Sequence, residues 1–165
     1  MNANVSLIKE IDNNEENDIQ TINKCNNIND LIEISGNCHC KNITFTVKVT
    51  KKIKVYKCNC SICIMKQNHH FIVSQNNFKL LCNIDELTLY QFNTKKAKHY
   101  FCKNCGVQSF YYPRSNPDGV AITIYCIKDW KKIFENSIEW IDFDGENWES
   151  TMINSDIIND SKINS

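Results

Sequence analysis

At 165 residues the chain suits one domain and is long enough to bury a core without cross-links. Its 19 basic and 19 acidic side chains cancel, and Arg114 is the single arginine, which argues against a broad footprint for nucleic acid or an anionic membrane surface. No apolar run reaches the roughly 18 residues that a bilayer span needs, and Met1–Glu10 lacks the basic start and apolar centre of a secretory signal. A reducing compartment is expected: the cytoplasm, with the nucleus as the alternative.

In chain order, residues 1–30 are rich in Asn, Asp, Glu and Ile, lack aromatics, and read as a flexible arm. A folded domain is expected over 31–150, and a flexible tail over 151–165. Ile43, Phe45, Val47 and Val49 alternate with Thr44, Thr46, Lys48 and Thr50, the period-two pattern of a half-buried strand. A helical turn is expected just after Cys60. Phe71–Val73, Leu87–Phe92 and Val107–Tyr112 are shorter β-rich runs. Val120, Ile122 and Ile124 then alternate with Ala121, Thr123 and Tyr125, and a second helical turn is expected over Asp129–Asn136. The sum is an all-β fold of small antiparallel sheets with one or two short helices.

Ten cysteines in a reducing compartment read as metal ligands or reactive thiols before disulfides. They cluster as Cys38-His39-Cys40, Cys58-Asn59-Cys60-Ser61-Ile62-Cys63 and Cys102-Lys103-Asn104-Cys105-Gly106. On an extended strand a C-x-C pair leaves on one face. In a C-x-x-C turn both sulfurs point inward, and Gly106 supplies a position tolerant of positive φ. Zinc takes four ligands in a closed structural site and three in a site with an open position. Seven thiolates divide as four plus three. The triplet Cys58, Cys60 and Cys63 can hold an ion locally, so it is assigned the open site. Cys38, Cys40, Cys102 and Cys105 are then expected at a structural zinc. Spacing alone leaves open whether His69 or His70 fills the fourth position at the triplet. Cys25 reads as an exposed thiol of the arm, and Cys82 and Cys126 as small core residues.

Three thiolates make an open zinc a weak generator of hydroxide, yet leave it able to take a substrate thiol as its thiolate. Lys57, Lys66 and Arg114 are candidates to offset the charge of an anionic thiol. His70 is a candidate proton donor to the oxygen of a thiol–aldehyde adduct, with packing at the start of a strand as its alternative. His39 is expected to point away from the metal, and His99 to lie behind the ligands.

Gly36-Asn37-Cys38-His39-Cys40, the triplet, and Phe101-Cys102-Lys103-Asn104-Cys105-Gly106 resemble the signature of the glutathione-dependent formaldehyde-activating enzyme family. His69-His70-Phe71-Ile72-Val73, Phe92-Asn93-Thr94, Cys105–Tyr111 and Pro113-Arg114-Ser115-Asn116-Pro117 are most similar to its centromere protein V branch. The resemblance implies a tent-like, zinc-stabilised β domain with two zinc ions and the same division of ligands. It implies a carbon–sulfur lyase whose partners are a small thiol such as glutathione and a small aldehyde. No membrane or nucleic-acid partner is expected, and pairing into a homodimer is left open. The rival is a zinc-stabilised module that binds a protein, chromatin or the cytoskeleton without catalysis. A pure scaffold gains nothing from a vacant position, so a count of seven cysteines favours the enzyme.

Overall fold

The computed structural model describes residues 31–162; the arm at 1–30, with Cys25, lies outside them. Strands β1 (Leu31–Asn37) and β2 (Thr44–Thr50) form an antiparallel hairpin, Leu31 opposite Thr50 and Asn37 opposite Thr44. The expected alternation holds: Phe45, Val47 and Val49 are buried, while the residues between them face outward. Ile43 is buried just before the strand begins. The short strand β5 (Phe78–Leu80) pairs with the other edge of β2 and completes a three-stranded sheet.

The remaining strands form a seven-stranded sheet. They are β3 (Ile53–Cys58), β4 (His69–Ser74), β6 (Leu87–Tyr90), β7 (Lys98–Cys102), β8 (Phe110–Tyr112), β9 (Gly119–Thr123) and β10 (Ile138–Phe143). Their order is β10-β3-β4-β9-β8-β7-β6. Every pairing is antiparallel except β10 with β3, which run parallel with Phe143 opposite Cys58. Helix α1 (Ser61–Lys66) follows Cys60 as expected, and α2 (Trp130–Ile133) lies within the second expected turn. A third short helix, α3 (Trp148–Ile153), has no counterpart in the sequence reading.

The large sheet is covered on both faces. Phe45, Phe71, Phe110, Ile122 and Phe134 belong to the main core, which takes in the β1–β2 hairpin. Tyr56, Ile72, Tyr111, Ala121 and Phe143, on strands of the large sheet, make a second cluster with Ile157, which lies in the helical turn Asp156–Asn159. β9 is therefore buried along its whole length instead of half-buried. The cover on this second face comes from the chain end, which corrects the expected tail for residues 151–162. Ile157, Asp160 and Ser161 are buried there. The fully buried Asn116 donates to the Ile157 carbonyl at 2.8 Å and to Ser161 Oγ at 3.0 Å. Ser161 Oγ donates to Asp118 at 2.7 Å, and the Tyr56 hydroxyl donates to Asp160. These bonds across the polar seam hold an Asn-rich segment that composition alone marks as solvated, although Asn116 Oδ1 has no partner among the described residues. Among the described residues no helix is long and apolar enough to cross a membrane.

Candidate functional site

Four sulfurs meet where two turns abut. Cys38 and Cys40 lie in the turn after β1, not on an extended strand; Cys102 ends β7, and Cys105 lies in the turn that follows. Each turn passes through the left-handed region, at Lys41 (φ 68°) and at Gly106 (φ 72°). Their sulfurs lie within 4.8 Å of one another, with Cys38–Cys40 at 3.5 Å and Cys40–Cys102 at 3.6 Å. Four thiolates at Zn–S bonds of about 2.3 Å would sit about 3.8 Å apart, so the group fits a tetrahedral ion. The Ile43 N–H donates to Cys38 Sγ at 3.3 Å, and hydrogen bonds from Asn42 and Asn104 lower the Cys40 thiol to about 6. Burial pushes Cys38 up to about 12. An ion at the centre would remove that conflict by stabilising every thiolate at once.

The second group is local. Cys58 ends β3, Cys60 precedes α1, and Cys63 lies in its first turn, with the three sulfurs again within 4.8 Å of one another. The backbone N–H of Cys60 donates to Cys58 Sγ at 3.5 Å, and Asn68 Nδ2 lies 3.9 Å from Cys63 Sγ. Hydrogen bonds from Cys58 and Cys63 hold the Cys60 thiol well below its ordinary range. The contact with Cys60 pushes Cys58 up to about 11, and contacts with Cys58 and then Cys60 raise Cys63 strongly. Each thiolate is thus set against its neighbours, and a metal ion at the centre would stabilise all three at once. No histidine nitrogen or carboxylate joins either group, so neither His69 nor His70 supplies a fourth donor among the described residues.

The three-cysteine group opens onto a cavity of about 390 Å³. Its wall includes His70, His99, Tyr111, Arg114, Gly145 and Trp148. His70 is buried, and loss of solvation holds it down at about 4. Its Nδ1 faces the Asn68 carbonyl at 3.5 Å and its Nε2 the Tyr111 hydroxyl at 3.0 Å. His99 is equally buried, its basicity lowered by desolvation, and stacks on Tyr111 with centroids 5.0 Å apart and planes 9° apart. Arg114 lies 3.3 Å above the Trp148 ring and pairs with Glu149 at 3.2 Å. The Pro-Arg-Ser-Asn-Pro segment thus brackets the chain end twice, through Arg114 on α3 and Asn116 on the final turn. Gly145 is required by space: a Cβ there would come within 2.4 Å of Cys58 Sγ and 2.8 Å of Cys60 Cβ.

The structure brings together both sets of cysteines named from spacing, and it places His70 and Arg114 on the cavity wall. Lys57 and Lys66 are not on that wall: Lys57 pairs with Asp142 at 2.9 Å, and Lys66 donates to Gln108 at 2.8 Å. His69 contacts the Tyr125 hydroxyl at 2.6 Å, and His39 is exposed beside its two cysteines. Cys82 and Cys126 are half-buried and belong to neither group. Sequence reasoning missed Tyr111, Gly145 and Trp148 as wall residues. An Asp-Gly step at Asp144-Gly145, directly after the mixed segment Ile138–Phe143, was the one local signal.

A crystal structure of a Rhodobacter sphaeroides protein resembles the chain at 25% identity and a TM-score of 0.56, covering 66% of this chain and 100% of that one. Residues 33–142, which span the three cysteine clusters and most of the cavity wall, match the family described as glutathione-dependent formaldehyde-activating enzyme. The chain belongs to the glutathione-dependent formaldehyde-activating enzyme family.

Proposed function

We propose that the chain is a zinc-dependent carbon–sulfur lyase of the centromere protein V branch, acting on the adduct of a small thiol such as glutathione with a small aldehyde. Cys38, Cys40, Cys102 and Cys105 would hold a structural zinc, and Cys58, Cys60 and Cys63 a second zinc with an open position. The observation that carries this reading is the siting of the incomplete sulfur set on the wall of a cavity. Soft sulfur donors at tetrahedral spacing fit zinc in both places. When bound there, the ion would supply a site that keeps a substrate sulfur as its thiolate at neutral pH.

The chain's own residues do the rest. The cavity holds thiol and aldehyde side by side, which converts a bimolecular encounter into a local one. Arg114 offers its guanidinium to a substrate carboxylate; the Trp148 face keeps it planar to the wall, and Glu149 limits its swing. His70 and Tyr111 are the buried polar groups that face the reacting carbon's oxygen. Phe143, Trp148 and Ile157 close the apolar side and reduce access of water.

Cobalt substitution tests the reading. Glutathione should intensify and shift the sulfur-to-cobalt bands of the full-length protein, whereas S-methylglutathione should leave them unchanged. Arg114→Ala should weaken the thiol by about 1–3 kcal/mol, the size of a charge-assisted contact. A spectrum indifferent to millimolar thiol would defeat the proposal.

A further inference from the structure

We propose that Tyr111 carries the proton to and from the substrate oxygen, and that His70 holds that proton while the carbon–sulfur bond is broken or made. The inference rests on the lyase reading above. Tyr111 and His70 sit on neighbouring parts of the large sheet, Tyr111 in β8 and His70 at the start of β4, with β9 between them. Both side chains are buried, and both line the cavity onto which the three cysteines open. The Asn68 carbonyl accepts from His70 Nδ1, which leaves the Nε2 lone pair to accept from the Tyr111 hydroxyl at 3.0 Å. Asn68 is itself fixed: its Oδ1 accepts from Thr123 Oγ1 at 2.8 Å, and its Nδ2 faces Cys63 Sγ. One residue therefore ties the imidazole tautomer to the sulfur group. Stacking on His99 holds the phenol ring from behind.

This arrangement puts Tyr111 on the cavity wall with its hydroxyl bonded to His70 Nε2, so that His70 is the base behind it. In cleavage, the adduct's hydroxyl proton passes to the Tyr111 oxygen as the Tyr111 proton passes to His70 Nε2. The electron pair left on the substrate oxygen forms the second carbon–oxygen bond. The carbon–sulfur bond breaks, and its pair leaves on sulfur. After the aldehyde departs, the proton returns through Tyr111 to the sulfur, which leaves as a thiol. Synthesis runs the same steps backwards: the thiol gives its proton to the pair, its sulfur attacks the aldehyde carbon, and the oxygen takes the proton back. No oxidant, reductant or further reactant is consumed.

Tyr111→Phe keeps the ring on His99 and deletes only the hydroxyl. In the full-length zinc-loaded protein, kcat for cleavage of S-hydroxymethylglutathione should fall about 100-fold or more, the usual size of a lost acid–base group. KM, zinc content, melting temperature and the thiol response of the cobalt form should stay close to those of the parent. His70→Gln can still accept from the hydroxyl but cannot hold a proton, so it should show the same loss, and the double variant should lose no more than either single one. If Tyr111→Phe fails to fold, His70→Gln carries the comparison. Nitrogen NMR of the zinc-loaded parent should show His70 Nε2 unprotonated. Turnover by Tyr111→Phe close to the parent's, or a protonated Nε2 in the resting protein, would overturn the relay while leaving thiol binding intact. A parent whose cobalt form ignores thiols overturns the lyase reading and this inference together.

Discussion

The two cysteine groups use the same donor atom in opposite ways. The four-cysteine group joins turns far apart in the chain, Cys40 and Cys102 being 62 residues apart, so closing it links the β1 end of the small sheet to β7 of the large one. The three-cysteine group spans one strand end and the first turn of α1, and its neighbour is a cavity instead of another protein ligand. Metal held by distant segments is a folding constraint, because the free energy of binding is realised only when the segments meet. Metal held by one short stretch constrains little beyond that stretch, which leaves its remaining position to be used by something else. On the proposed reading, reach along the chain, more than ligand type, would separate the scaffold from the working part.

The largest test of this contrast is a pair of substitutions. Cys102→Ser should cost more than about 4 kcal/mol, the range reserved for loss of a metal or a buried network. Cys60→Ser should cost about 1–2 kcal/mol and abolish the thiol response. Thermal melts of the zinc-loaded variants decide it, and the opposite order would reverse the assignment of roles. Metal counting by native mass spectrometry sharpens the same point: two zinc ions in the parent and one in Cys60→Ser.

A smaller effect is expected from the glycine beside each group. Gly145→Ala pushes a methyl into Cys58 and Cys60, so the three-cysteine group should bind zinc about 10–100-fold more weakly while the fold persists. Gly106→Ala meets no atom within 4 Å but must keep a φ of 72°, so it should cost about 1 kcal/mol of backbone strain and no zinc. Competition with a chelator and a melt of each variant separate space from conformation.

The smallest effect concerns acid. Hydrogen bonds from Asn147 and then Asn59 hold the Asp144 carboxyl below its ordinary value. A depressed folded pKa contributes stability that is present above the ordinary carboxylate range and lost as pH falls through the folded value. The turn carrying Gly145 should therefore loosen only in strong acid. Hydrogen exchange at the Glu146 and Asn147 amides, whose bonds run to Asn59 and Asp144, would report it. Asp144→Asn should flatten that acid dependence.

What was legible in the sequence was what repeats locally. The alternation over Ile43–Thr50 and the spacing of the cysteines each need only a few neighbouring residues to be read. β3, β7 and β10 carry no clean alternation: β10 runs Ile-Glu-Trp-Ile-Asp-Phe, with Trp140 exposed and its parallel partner far upstream. Tyr111 looked like one aromatic among several, because only the order of strands puts it beside His70. The chain end was misread since its composition is polar, while its burial depends on partners such as Asn116 and Asp118 that lie elsewhere in the chain.

The parallel pairing of β10 with β3 also sets an order in time. Asn59 reaches Asp144 across 85 residues of chain, so during synthesis the three cysteines leave the ribosome long before the segment that walls their cavity. A nascent chain can gather those sulfurs early, but it presents them without Gly145, Trp148 or the Arg114 bracket. Contacts of such long sequence separation form late and slowly. A chain interrupted before β10 would then carry the cysteine turn with part of its wall missing, open to oxidation or to the wrong metal. Residues 143–157, made well after the cysteine turn, are the ones that complete the wall around it.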